Sequence, residues 1–258
     1  MTTTALLLDM DGVIHIGSRA VPGAGEALSA LRASGISLRF VTNTTTRTRK
    51  GLSAKMKALG LDISQNEIFT VVDACVDYLS ALGRPTIFPL IDGAITDPFS
   101  TFPRDQQTPD YVVIGDIGSR WTYEILNTAF NCLRRGAKLL CMHRNKYWQS
   151  ENGLCMDIGA FVAALEYVSG QSAIVIGKPN PAFFEAALRS LAVEPERCAM
   201  VGDDLEADIG GAQGCGLYSI LVKTGKYRQE LVENSNIRAD LVIDSIAALP
   251  KCLNIGTR

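Results

Sequence analysis

Four short apolar runs in this chain each finish on a side chain that a buried strand has no use for. They are "ALLLD" (5–9), "SLRFVTN" (37–43), "AIVIGKP" (173–179) and "CAMVGDD" (198–204). Helical spacing of apolar residues appears between or beside them, at 23–35, 46–59, 181–191 and 205–213. Further apolar runs, "PTIFPLI", "YVVIGDI", "KLLCMH", "YSILVKTG" and "ADLVID", alternate with helical patterns at 72–82, 121–134 and 158–169. A run that is apolar at successive positions, not at every second one, belongs to a strand covered on both faces. Strands alternating with helices achieve this in a parallel sheet with helices on either side. The chain therefore predicts an α/β fold built on a Rossmann-like parallel sheet. Such sheets bind ligands at the carboxyl ends of their strands. The four runs bring Asp9 and Asp11, Thr42 and Asn43, Lys178, and Asp203 and Asp204 to that edge.

Each group has a plainer explanation on its own. Asp11-Gly12 is a common turn pair, Thr42-Asn43 could cap a helix, and acids after Gly202 could face a helix dipole. Lys178 before Pro179 could be a surface lysine in a turn. Four coincidences at four strand ends are the weaker account.

Composition narrows the function. The 258 residues hold 25 Lys and Arg against 27 Asp and Glu, a net charge of −2, which argues against a general nucleic-acid or membrane-surface binder. The one short basic cluster, "RTRK" at 47–50, reads as a solvated helix start. No apolar stretch approaches the roughly 18 residues expected of a membrane span, and the amino-terminal stretch lacks the basic region of a signal peptide. Seven cysteines without a metal-type C-x-x-C pair read as reduced thiols of a cytoplasmic protein.

Acids from two strand ends make an oxygen-only site of the kind that suits Mg²⁺. The two histidines, His15 and His143, supply no softer ligand set. Thr42 offers a hydroxyl, and the N–H groups after it can cradle an anion. Lys178 is a compact charge able to neutralise a phosphate oxygen and a carboxylate together. This points to phosphoryl transfer, with Asp9 as nucleophile and Asp11, two residues on along an extended backbone, as acid/base.

"DMDGVI", "VTN", "GKP" and "GDDLEADIGGA" resemble, in order, the four motifs of the haloacid dehalogenase (HAD) superfamily of phosphatases. The insert between the second and third motifs resembles the C2-type cap of subclass IIA. Nearly the whole chain resembles the branch that contains phospholysine phosphohistidine inorganic pyrophosphate phosphatase and its HAD-domain relatives. The resemblance implies a discontinuous Rossmannoid core over 1–80 and 177–258, and a smaller α/β cap over 81–176 that shields the site. It implies that Asp9, the backbone carbonyl of Asp11, and Asp203 ligate Mg²⁺. By the same carry-over Thr42 and Asn43 bind phosphate, Lys178 steadies the phosphoryl-enzyme, Asp204 and Asp208 stand behind the metal ligands, and the protein is a homodimer. Members of that branch often carry serine where this chain has Asp11, so the retained acid favours ordinary phosphate-ester hydrolysis over that branch's substrates.

The expected activity is Mg²⁺-dependent hydrolysis of small phosphorylated metabolites, with pyrophosphate and phospho-amino acids among the candidates. The alternatives are a phosphomutase or a non-catalytic phosphometabolite binder on the same fold. A receiver domain fits less well, because the acceptor motif comes first and a large insert follows. Within the insert, "MHRNKYWQSENGLCMDIG" (142–159) has two readings: an exposed connection in which Tyr147 and Trp148 pack, or a segment that reads the leaving group through His143, Lys146 and Asp157.

Overall fold

A computed structural model describes residues 3–150 and 153–253. They form two compact units. The first runs up to Thr42, takes in Arg49–Phe69 and resumes at Lys178; the second is Asn43–Thr48 with Thr70–Gly177.

The first unit opens with β1 (Ala5–Asp9), whose first four side chains are completely buried, as a run without alternation requires. A small hairpin of β2 (His15–Ile16) and β3 (Arg19–Ala20) follows. Helix α1 (Ala24–Ala33) buries Ala24, Ala27, Leu28 and Leu31, one stripe at helical spacing. β4 (Ser37–Thr42), α2 (Arg49–Ala58) and β5 (Ile68–Thr70) complete this stretch.

The second unit carries α3 (Val71–Ala81), β6 (Ile87–Leu90), β7 (Tyr111–Ile114), α4 (Tyr123–Arg134) and β8 (Lys138–Cys141). It continues with an antiparallel pair, β9 (Tyr147–Ser150) and β10 (Gly153–Met156), then α5 (Ile158–Ser169) and β11 (Ile174–Val175). Its own sheet has the order β11-β8-β7-β6, with every pairing parallel.

Back in the first unit come α6 (Pro181–Leu191), β12 (Cys198–Gly202) and a widened helical turn, Leu205–Gly210, that runs into α7 (Gly211–Gly214). β13 (Tyr218–Val222), α8 (Gln229–Asn234), β14 (Leu241–Ile243) and α9 (Leu249–Cys252) finish it. The six strands are ordered β14-β13-β12-β1-β4-β5, and β1 lies between β12 and β4 in parallel pairing. Two α/β units, each on a parallel sheet, match the expected class.

Three particulars depart from the sequence reading. The "AIVIGKP" run does not join the core sheet: Ile174 and Val175 pair with Leu140 and Cys141 of β8. An apolar segment of two paired residues does not encode which sheet it extends, and this one closes the edge of the nearer sheet. Lys178 thus comes from the chain re-entering the first unit, not from a strand end. Helix α3, expected on the core side of residue 80, belongs to the second unit. Its Cys75 is buried beside Cys141 of β8, and its Tyr78 lies near Tyr111 of β7. The segment 142–159 contains the antiparallel pair β9 and β10, which the sequence reading did not include. Residues 151 and 152 lie outside the described residues, as do the side chains of 148–154, Trp148 among them, while Tyr147 is exposed.

Among the described residues, Cys75, Cys132, Cys141, Cys198, Cys215 and Cys252 are in no disulfide. No helix among the described residues is long and apolar enough to cross a membrane.

Candidate active site

The first unit gathers its charges where β1 and β12 end. These neighbours run parallel, so their last residues, Asp9 and Gly202, deliver Asp9 and the following Asp203 side by side. The widened turn after β12 then brings back Asp208. Gly202 permits this approach, because a Cβ there would strike the Asp208 carboxylate. Asp9, Asp203 and Asp208 are all buried and each offers an oxygen within 4.8 Å of the others.

Lys178 is buried among them. Its Nζ donates to Asp9 Oδ1 at 2.6 Å and to Asp208 Oδ1 at 2.7 Å. Burial alone would lower the ammonium's pKa, but the carboxylates of Asp208 and Asp9 outweigh it and push it up. The acids respond differently. Burial drives the Asp9 carboxyl well above the usual range, and Asp208 and Asp203 add to this while Lys178 opposes it. Asp203 is pushed up to about 7 by burial and then by Asp208, against the Lys226 N–H that bonds it. Three buried carboxylates face one buried ammonium, an excess of two negative charges when all are ionised. An all-oxygen donor set with that imbalance fits a hard divalent cation.

Asp11 stands apart. Its side chain is 65% exposed, with Oδ1 3.5 Å from Nε2 of the buried His15. Gly12 makes the turn between them at φ 85°, where a Cβ would overlap the Asp203 carboxylate. Its N–H donates to the His15 carbonyl at 2.7 Å. Lys55 Nζ lies 3.4 Å from His15 Nε2. Burial holds the imidazole below its ordinary pKa, Lys55 adds to this, and Asp11 opposes it.

Thr42 is buried as the last residue of β4, the strand on the other side of β1. Asn43 follows it as the first residue of the second unit, where its Oδ1 lies against Gly177. Asp204 caps the widened turn, its Oδ1 accepting the N–H groups of Glu206 and Ala207 at 3.1 and 2.9 Å, while its Oδ2 pairs with Lys226 Nζ at 2.9 Å.

The residues singled out in 142–159 belong to the second unit. His143 and Asp157 are buried, with Nε2 and Oδ1 3.9 Å apart. His143 Nδ1 accepts the Asn145 N–H and Asp157 Oδ1 accepts the Ile158 N–H, so both tie down the base of the hairpin. Lys146 is exposed.

Sequence reasoning passed over His15, Lys55 and the Thr224-Gly225-Lys226 loop. The rule that pointed to the other strand ends could have found the last of these, since it follows β13 directly.

Residues 6–100 match the family model described as haloacid dehalogenase-like hydrolase, and residues 175–249 match one described as HAD-hydrolase-like. The human haloacid dehalogenase-like hydrolase domain-containing protein 2 is 43% identical over 90% of this chain and 88% of its own length. Human phospholysine phosphohistidine inorganic pyrophosphate phosphatase is 35% identical over 94% of this chain and 91% of its own. Among solved structures, a 4-nitrophenylphosphatase of Thermotoga maritima superposes with a TM-score of 0.91 at 29% identity, covering 98% of each chain. With the motif acids brought together and similarity of this extent along nearly the whole length, the chain belongs to the haloacid dehalogenase-like hydrolase family.

Proposed function

We propose that the protein hydrolyses phosphate monoesters of small metabolites by way of an aspartyl-phosphate on Asp9. The observation that carries this reading is the buried lysine joining Asp9 to Asp208 beside Asp203, which fixes Asp9 and places a positive charge where a phosphate would need compensation. The names of relatives support it: one is a phospholysine phosphohistidine inorganic pyrophosphate phosphatase and one a 4-nitrophenylphosphatase.

In the first half-reaction a carboxylate oxygen of Asp9 bonds to phosphorus as the bond from phosphorus to the leaving oxygen breaks. Asp11 gives that oxygen its proton. In the second, water attacks the phosphorus, Asp11 takes the water's proton, and the bond to Asp9 breaks to release phosphate. Lys178 neutralises charge beside Asp9 throughout, and Thr42 with Asn43 bind the phosphoryl oxygens. Asp9, Asp203 and the Asp11 carbonyl would hold Mg²⁺, with Asp208 and Asp204 behind them. Bound there, the cation would neutralise and orient the phosphoryl oxygens. Asp11 favours ester hydrolysis over cleavage of pyrophosphate or P–N bonds.

The test is phosphate release from p-nitrophenyl phosphate, phosphosugars, nucleotides, pyrophosphate and phospholysine with Mg²⁺, together with trapping of the phosphorylated enzyme. A phosphoenzyme that forms in the wild type and is absent in Asp9→Asn supports the reading. Asp9→Asn turnover within about tenfold of wild type would remove Asp9 as nucleophile, because a nucleophile acting as part of a unit costs far more to lose.

Of the three residues proposed to read the leaving group, the exposed Lys146 is the one whose side chain is open to solvent. Lys146→Ala should reorder the substrate list and raise KM for anionic substrates, with p-nitrophenyl phosphate turnover little changed. His143→Ala and Asp157→Ala should act on stability first. The homodimer is proposed as well, and light scattering that gives a monomer at micromolar concentration would end it.

A further inference from the structure

Two glycines crowd the Asp203 carboxylate and a threonine braces one of them, and none belongs to the roles assigned above. The loop after β13 supplies two of them. Thr224 Oγ1 donates to the carbonyl of Gly12. Gly225 sits at φ 62°, where a Cβ would overlap Asp203 Oδ2 and stand 2.6 Å from the Gly12 Cα. From the opposite side, a Cβ on Gly12 would overlap the same oxygen. Asp203 Oδ2 is therefore wedged between two bare Cα atoms, and the Lys226 N–H donates to it at 2.7 Å.

We infer that the Thr224-Gly225-Lys226 loop is a positioning element that orients Asp203 for a divalent cation and braces the turn after Asp11 through the Gly12 carbonyl. The inference rests on the proposed cation site. Its physical basis is the kind of contact used. Asp9 is already paired with the Lys178 ammonium, whereas Asp203 is held by a peptide N–H, so its charge is left for the cation. An ammonium on Asp203 would compete with the ion, whereas a peptide N–H holds one oxygen and leaves the charge in place. Lys226 divides the two duties: its N–H holds Asp203, and its ammonium is drawn onto Asp204 Oδ2. Thr224 does the same for the nucleophile turn. Gly12 donates its N–H to the His15 carbonyl and accepts from Thr224 through its own carbonyl, so the peptide groups on both sides of Gly12 are held. Since a peptide is planar and trans, fixing the Gly12 N–H also fixes the direction of the Asp11 carbonyl.

The experiment is Mg²⁺ binding by calorimetry and by Mg²⁺-dependent shift of the melting temperature, with kcat at saturating Mg²⁺ measured alongside. It compares the wild type, Thr224→Val, Thr224→Ser and Gly225→Ala. Loss of an outer hydrogen-bond partner of a metal ligand typically weakens metal affinity by about 10- to 100-fold. Thr224 acts one step further out, through the Gly12 carbonyl, so Thr224→Val should fall at the low end of that range, about tenfold, with kcat at saturation nearly retained, and Thr224→Ser, which keeps the hydroxyl, should restore affinity. Gly225→Ala should weaken binding further, because its methyl displaces Asp203 itself. Should the valine variant fold poorly, Thr224→Ala removes the same hydroxyl with less bulk. Wild-type Mg²⁺ affinity in Thr224→Val or Thr224→Ala overturns the inference while leaving the cation site standing. A wild-type protein that binds no Mg²⁺ and works in excess chelator overturns the cation site, and the inference with it.

Discussion

Asp9 and Asp11 are two residues apart and have opposite surroundings, which is why one sequence motif can supply two chemistries. Asp9 is buried and held by Lys178; Asp11 is largely exposed at the mouth of the turn. Replacing Asp11 with Asn should therefore spare attack on phosphorus and damage proton transfer. General acid catalysis contributes typically about 10²- to 10⁴-fold, so turnover of an alkyl phosphate should drop in that range. The p-nitrophenolate leaving group barely needs the proton, and its ester should lose much less in the first step. Equal losses on both esters would remove Asp11 from leaving-group departure. At this scale the sequence was highly legible for residues fixed by their own strand: Asp9, Thr42 and Asp203 sit where the runs end. For Thr224 and Gly225 only their place after a strand was legible; their partners Gly12 and Asp203 are distant along the chain, and the fold alone pairs them.

Helices announced themselves through their ends. The spacing predicted 158–169 and 181–191, and α5 and α6 have those bounds because Asp157 and Asn180 cap their first turns and Pro181 opens the second. The hairpin of β9 and β10 was hidden, since "YWQS" and "GLCM" show no alternation of apolar and polar residues. The sheet membership of β11 was hidden for a related reason: its neighbour β8 is chosen by proximity after α5, not by composition. Asp204 separates capping from charge at this scale. Its Oδ1 caps the widened turn that returns Asp208, while its Oδ2 pairs with the exposed Lys226. Asp204→Ala should cost about 1 kcal/mol of stability through the lost cap and lower activity by loosening Asp208. Asp204→Asn keeps the cap oxygen and should recover most of the stability in urea unfolding. A loss in Asn equal to that in Ala would show that the ion pair, not the cap, carries the effect.

Over the whole molecule, the place of α3 was not legible in the sequence. Its packing on the second sheet is a tertiary fact that an amphipathic pattern leaves open. The charge balance of the site also bears on the stability of the entire fold. Without a cation, the folded chain confines Asp9, Asp203 and Asp208 around one ammonium, whereas the unfolded chain lets them apart. The sign follows from Asp203. Its carboxyl is pushed up to about 7 in the fold, from an ordinary value near 3.8. The folded state thus keeps a proton that the unfolded state has already lost, and stability falls as pH rises from 3.8 towards 7. In chelator, the wild-type melting temperature should decline across that window, and Asp203→Asn should flatten the decline and melt higher near pH 8. For a chain of this size each kcal/mol corresponds to roughly 2–4 °C, so the gap is readable by calorimetry. Saturating Mg²⁺ should reverse the ranking: the wild type gains by mass action, about 2.7 kcal/mol at a hundred times Kd, while Asp203→Asn gains little. If the chelated wild type and Asp203→Asn melt alike at both ends of the pH range, the three carboxylates do not strain the fold, and the charge argument for a divalent cation loses its support.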